Sequence, residues 1–149
     1  MDSLIYGLVF LPVAGAAVSF TIGKKYKKYR DYFVGTAAVL EFVLAGFLLY
    51  RYMTDVSYTG VTELSGVCGM GLTFTVDGFR TVYVCIAAFM WMCTSLFSAE
   101  YFGHYRNRNR YYMFQLITLG ATEAIFLSAD LYTTFVFFEV MSFASYVWV

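Results

Sequence analysis

The sequence predicts an all-α membrane protein of about five transmembrane helices with its amino terminus outside, and three observations carry that reading. Of 149 residues, 60% are hydrophobic and only 13% charged, whereas a soluble domain averages about 25% charged residues. The apolar residues fall in blocks of about 20, the length that crosses a bilayer core. Eight of the ten Lys and Arg residues gather in two short connections, "KKYKKYRD" and "EYFGHYRNRNRYY". The positive-inside rule puts both in the cytoplasm and leaves the 51–77 connection outside. The formal net charge is zero and no basic surface is broad enough for nucleic acid, so the bilayer is the expected partner.

The first block, about 3–22, is followed by its positive charges and preceded only by "MDS", so it reads as a retained helix and not a signal peptide. The second, about 32–50, carries Glu41 on a face with Ala37, Ala38 and Ala45, a seam small enough for close helix packing. In the 51–77 connection Leu72, Phe74 and Val76 alternate with Thr73 and Thr75, the period of a strand, and a short β-hairpin on the outer face is expected. The glycines of "GVCGMG" follow no nucleotide-binding order and read as turn residues. The third block, about 78–98, opens with Asp77 and Arg80, suited to an i,i+3 pair at the outer interface with Arg80 snorkelling outward. The fourth, about 111–129, presents Gln115, Thr118 and Thr122 on one face, with Glu123 at its edge. Only "SAD" separates it from the fifth, about 131–149, so the two form a tight hairpin in which Asp130 caps the fifth helix. Residues 1–149 are read as one helix bundle.

Candidate chemistry is confined to acids within these spans. Cys68, Cys85 and Cys93 form no C-x-x-C pair, and the last two lie about 12 Å apart along one helix, too far for a disulfide. That set suits neither an iron–sulfur cluster nor a c-type haem, so no cofactor or redox centre is expected in this chain. His104 stands in a charged connection without a nucleophile beside it and reads as solvated. Glu41 and Glu139, by contrast, fall roughly 12–14 Å from the nearer helix end and Glu123 about 9 Å, all three well inside the bilayer core. A charge there costs about 3 kcal/mol on insertion scales, and such residues mark ion or proton paths or hydrogen-bond across helices as neutral acids. For Glu41, in its alanine seam, the two uses weigh alike. Glu139, inside "FVFFEVMSF", shares a helix stripe with Tyr132, Ser142 and Tyr146, and that stripe could enclose water with the polar face of the fourth helix. Glu139 is therefore the leading candidate conductor, with Glu123 a further pathway candidate, and if Glu139 alone lies on the path Glu123→Gln is expected to leave transport nearly intact.

Three stretches, "FTVDGFR", "SLFSAEYFGHYRNRNRYYMF" and "LSADLYTTFVFFEVMSFASYVWV", resemble the antiporter-like subunits shared by respiratory complex I, membrane-bound hydrogenases and Mrp-type cation/proton antiporters. The resemblance is closest to complex I subunit 5-like chains. It covers roughly 60–149, while the first two spans match in length and topology only. It implies that Glu139 is the charged residue of a first half-channel, working against a lysine two helices further on. The sequence stops at Val149, before any such lysine and in mid-membrane pattern, so it reads as the front portion of a longer subunit. The function implied is ion translocation, with protons as the ion, in a redox-driven complex of a prokaryotic cell membrane. Its partners would be other membrane subunits and peripheral redox subunits with Fe–S clusters. The alternatives are an Mrp-type Na⁺/H⁺ antiporter subunit and a non-conducting anchor or assembly subunit.

Overall fold

The computed structural model describes residues 2–55, 60–65, 70–102 and 108–148. Within them the chain forms α1 (Asp2–Lys25), α2 (Lys27–Thr54), β1 (Gly60–Leu64), β2 (Leu72–Val76), α3 (Gly78–Tyr101), α4 (Asn109–Leu127) and α5 (Leu131–Trp148). By length and composition α1, α2 and α3 can each cross a membrane, and α5 carries a shorter apolar stretch, Leu131–Val147. "KKYKKYRD" is not the loop the sequence suggests. Helix runs to Lys25 and resumes at Lys27, with Tyr26 alone extended between them, because the stretch holds neither Gly nor Pro to stop it.

Contacts along the helices fix their directions. Trp91 Nε1 donates to the Gln115 carbonyl at 3.2 Å, and the Ser98 and Tyr111 hydroxyls meet at 2.7 Å, so α3 and α4 run antiparallel. Asn109 Nδ2 donates to the Phe20 carbonyl at 2.9 Å, and Gly120 lies so close to α1 that a β-carbon there would come within 2.7 Å of the Val9 carbonyl. Small residues at helix crossings permit such backbone approach. α4 is therefore the central helix, with α1, α3 and α5 packed around it and α2 touching it beside α1 and α3. Gln115, Leu119, Ala121 and Ala124 point in different directions and are all buried. A helix with protein against most of its surface can afford the polar residues that leave α4 less hydropathic than α1, α2 and α3.

At the end of the bundle where α2 is followed by the 51–77 connection, β1 and β2 form the expected antiparallel hairpin, Val61 opposite Thr75 and Glu63 opposite Thr73. Leu72, Phe74 and Val76 are buried, and Phe74 packs against Phe137 of α5 with ring centres 5.9 Å apart. The sheet is tied to the α4–α5 turn: Ala129 N–H donates to the Thr73 carbonyl at 2.8 Å and Thr73 N–H to Thr133 Oγ1 at 2.9 Å. Gly71 turns the chain with φ +84°, where a β-carbon would meet the Leu64 carbonyl oxygen at 3.2 Å, so glycine serves there as expected. The other "GVCGMG" residues up to 69, Cys68 among them, lie outside the described residues, as does His104.

Candidate functional site

The bundle interior is held at both ends by polar clasps. At the Lys/Arg-rich end, Arg30 is buried with its guanidinium on Asp31 Oδ1 at 2.7 Å, 4.9 Å from the Tyr112 ring centre, and hydrogen-bonded to Asn109 Oδ1 at 3.3 Å. Arg108 reaches Asp31 Oδ2 at 3.2 Å. At the opposite end, beside the β-hairpin, Asp77 Oδ1 accepts the Arg80 N–H at 2.8 Å, capping α3, and its Oδ2 takes Arg80 Nε at 2.8 Å. The i,i+3 pair is thus present, but Arg80 does not snorkel outward. Its Nη1 turns onto the Phe126 carbonyl at 3.2 Å and onto the Ser128 carbonyl, because the last carbonyls of α4 have no helical donor. Asp130 Oδ1 accepts the Thr133 N–H at 2.9 Å, the expected cap of α5. Hydrogen bonding from Thr133, its side chain first, holds the Asp130 carboxyl below the usual range.

Between these clasps lie two acids. Glu41 on α2 and Glu123 on α4 are each 0% exposed, and none of their four carboxylate oxygens has a hydrogen-bond partner among the described residues. α2 and α4 run parallel with Arg30 beside Asn109, so Glu41 and Glu123 sit within about one helical turn of each other, and their charges interact. Ala37, Ala38 and Ala45 are buried with Glu41, the packing seam the sequence indicates. The cations of the described interior stand only in the end clasps.

The polar residues of α4 divide between two neighbours. Gln115 donates to Ser95 Oγ of α3 at 2.8 Å, whereas the Thr122 hydroxyl faces Met141 Sδ of α5 at 3.6 Å. Thr118 is buried and donates to its own helix at Phe114. The expected face of three therefore does not open as a unit toward α5. Through the Thr122–Met141 contact, Glu139 stands at the depth of Glu123, but it points the other way: Glu139, Ser142 and Tyr146 are exposed and Tyr132 half-buried. The structure thus brings Glu41 and Glu123 together and leaves the α5 stripe on the outside of this bundle. Sequence reasoning missed Arg30 and Asp31. The signal was there, since Arg30, Val34, Ala37, Glu41, Ala45 and Leu48 form one buried helical stripe that continues back into "KKYKKYRD".

No family model matches the sequence. A Na(+)/H(+) antiporter subunit of Alkalihalophilus pseudofirmus is 28% identical over 145 residues, covering 94% of this chain and 29% of its own length. A probable K(+)/H(+) antiporter subunit of Rhizobium meliloti is 28% identical over 153 residues, covering 98% of this chain and 28% of its own. Among solved structures, a chain of the membrane-bound sulfane sulfur reductase, an archaeal respiratory membrane complex, matches the fold with a TM-score of 0.77 at 15% identity, over 95% of this chain and 29% of that one. By sequence the chain is similar to these cation/proton antiporter subunits and by fold to a chain of that membrane complex, and it spans less than a third of the length of the relatives it matches.

Proposed function

We propose that the chain is the front part of an ion-translocating, antiporter-like subunit of a prokaryotic cell membrane, with five spans, the amino terminus outside and protons as the transported ion. The observation that carries this reading is the facing pair Glu41 and Glu123, fully buried with partnerless carboxylates. Burying a charge without a partner costs several kcal/mol, a cost that structural roles seldom justify and that proton-carrying groups incur as part of their work. A proton on one carboxyl can be donated to the other, and Glu139, level with Glu123 across α4, would exchange it with groups that meet the outer face of α5. Their burial is what supports giving Glu41 and Glu123 the core of that path.

The deciding experiment is transport by the complete assembled complex in vesicles, normalised to assembled protein. Glu139→Gln keeps shape and hydrogen bonding but not titration, and is expected to bring transport near background, while Glu139→Asp retains part of it. Glu41→Gln and Glu123→Gln are each expected to cut transport severalfold. Full transport by all three Gln variants would leave only a structural role.

The energy source has two readings. The resemblance to complex I chains suggests a redox-driven complex with other membrane subunits and peripheral Fe–S subunits. The names of the curated relatives favour a second, cation/proton exchange driven by an ion gradient. Transport that proceeds on an imposed Na⁺ gradient without an electron donor selects the second.

A further inference from the structure

We propose that the crevice between α2 and α3 at the Lys/Arg-rich end is a binding site for one phospholipid whose headgroup carries a primary ammonium, phosphatidylethanolamine. A cavity of about 560 Å³ opens there on the outward side of the two helices. Its walls are apolar or small: Gly35 and Val39 on α2, Leu96 on α3. Along α2 it runs from Lys28 to Val39, about 16 Å, a depth that takes an acyl chain lying against the helices. The mouth is charged and balanced. Lys28 and Glu100 line the same opening, both exposed and neither in an ion pair among the described residues, while Asp31 behind them is already held by Arg30 and Arg108.

That arrangement suits a zwitterion. Lys28 can donate to a lipid phosphate, and Glu100 can accept from an ammonium N–H. A choline headgroup has no N–H to give, and an anionic glycerol headgroup would leave Glu100 facing negative charge. Exposed Tyr32 lines the opening, as aromatic side chains do at headgroup depth.

The test is native mass spectrometry of the complete complex after exchange into vesicles of phosphatidylethanolamine, phosphatidylglycerol and phosphatidylcholine in equal parts. One phosphatidylethanolamine is expected to remain bound in preference to the others, and Lys28→Ala or Glu100→Ala should each reduce its retention about tenfold. Gly35→Phe should abolish it by filling the crevice. A first side-chain carbon at Gly35 meets only Leu96 Cδ2, at 3.7 Å, so the helix can accept the change. Gly46→Phe, where nothing lies within 4 Å, is the control and should retain the lipid. Equal retention of phosphatidylglycerol, unchanged retention in Gly35→Phe, or crosslinking from position 35 to a protein subunit instead of lipid would each overturn the proposal. None of these readouts depends on ion transport.

Discussion

α4 and α5 are joined by three residues and lie against each other, yet they live in different solvents. α4 has no bare side: its polar groups answer to Ser95, Trp91 and the end clasps, and its acid faces another acid. α5 is more apolar and presents Phe135, Phe138, Phe143 and Tyr146 outward together with its acid. The less hydrophobic helix is the enclosed one. In a membrane, hydropathy reports who the neighbours are, and a helix surrounded by protein is free to be polar. α4 is completed by this chain, whereas the acid of α5 is directed at whatever meets its outer face.

The contrast between the helices breaks most severely if the clasp at the Lys/Arg-rich end of α4 is removed. Arg30→Ala leaves Asp31 with Arg108 alone and strips Asn109 of a donor, and loss of one member of a buried ion pair costs about 3–5 kcal/mol. Thermal unfolding of the complete subunit in detergent should show a large drop, and Arg30→Lys should recover only part of it, since an ammonium cannot reproduce the forked contact to Asp31. An unchanged midpoint would mean that the clasp is ornamental and that α4 is held by its apolar contacts.

Much of this architecture is legible in the sequence. Five apolar blocks correspond to five helices, the Leu72–Val76 alternation to a strand with the expected face buried, and Asp130 to the cap of α5. Those features are local: a period or a cap is decided within a few residues. The differences concern what lies across a space. Snorkelling would take Arg80 to water, but the open carbonyls of Phe126 and Ser128 are nearer, and no spacing rule connects residues 80 and 126. The α5 stripe is plain as a stripe, but which side of a helix faces protein depends on the other helices, and a polar stripe looks the same facing in or out. Glu123 ranks low in the sequence for the same reason, since its burial comes from α1 and α2, more than seventy residues away in the chain.

A second test uses the two acids themselves. Glu123→Met replaces a partnerless buried carboxyl with an apolar side chain of similar volume and should stabilise the subunit by about 1–3 kcal/mol while reducing transport. Glu139→Met on the exposed face should change stability by no more than about 0.5 kcal/mol. Unfolding midpoints of both variants, measured side by side, check the pair. A change at Glu139 as large as that at Glu123 would show that another element closes over α5 in the complete subunit, and the contrast between the helices would then belong to this portion of the chain only.

The smallest expected effect is at the turn that joins them. Asp130 is exposed, and its carboxylate is held below the usual range chiefly by Thr133. A depressed folded-state value means that the cap's contribution is fully present above the unfolded carboxyl's value, about 3.9, and fades as pH falls through the lower folded value. Loss of the cap in Asp130→Ala should cost about 0.5–1 kcal/mol at neutral pH, and the difference from the parent chain should shrink as acid protonates the parent's carboxyl. Asp130→Asn can still accept the Thr133 N–H but does not titrate, so its stability should run parallel to pH where the parent's declines. If Asp130→Ala instead loses more than the cap is worth, the turn is holding β2 as well as α5, through the Thr73 bonds to Ala129 and Thr133, and the joined ends of the two helices move as one piece.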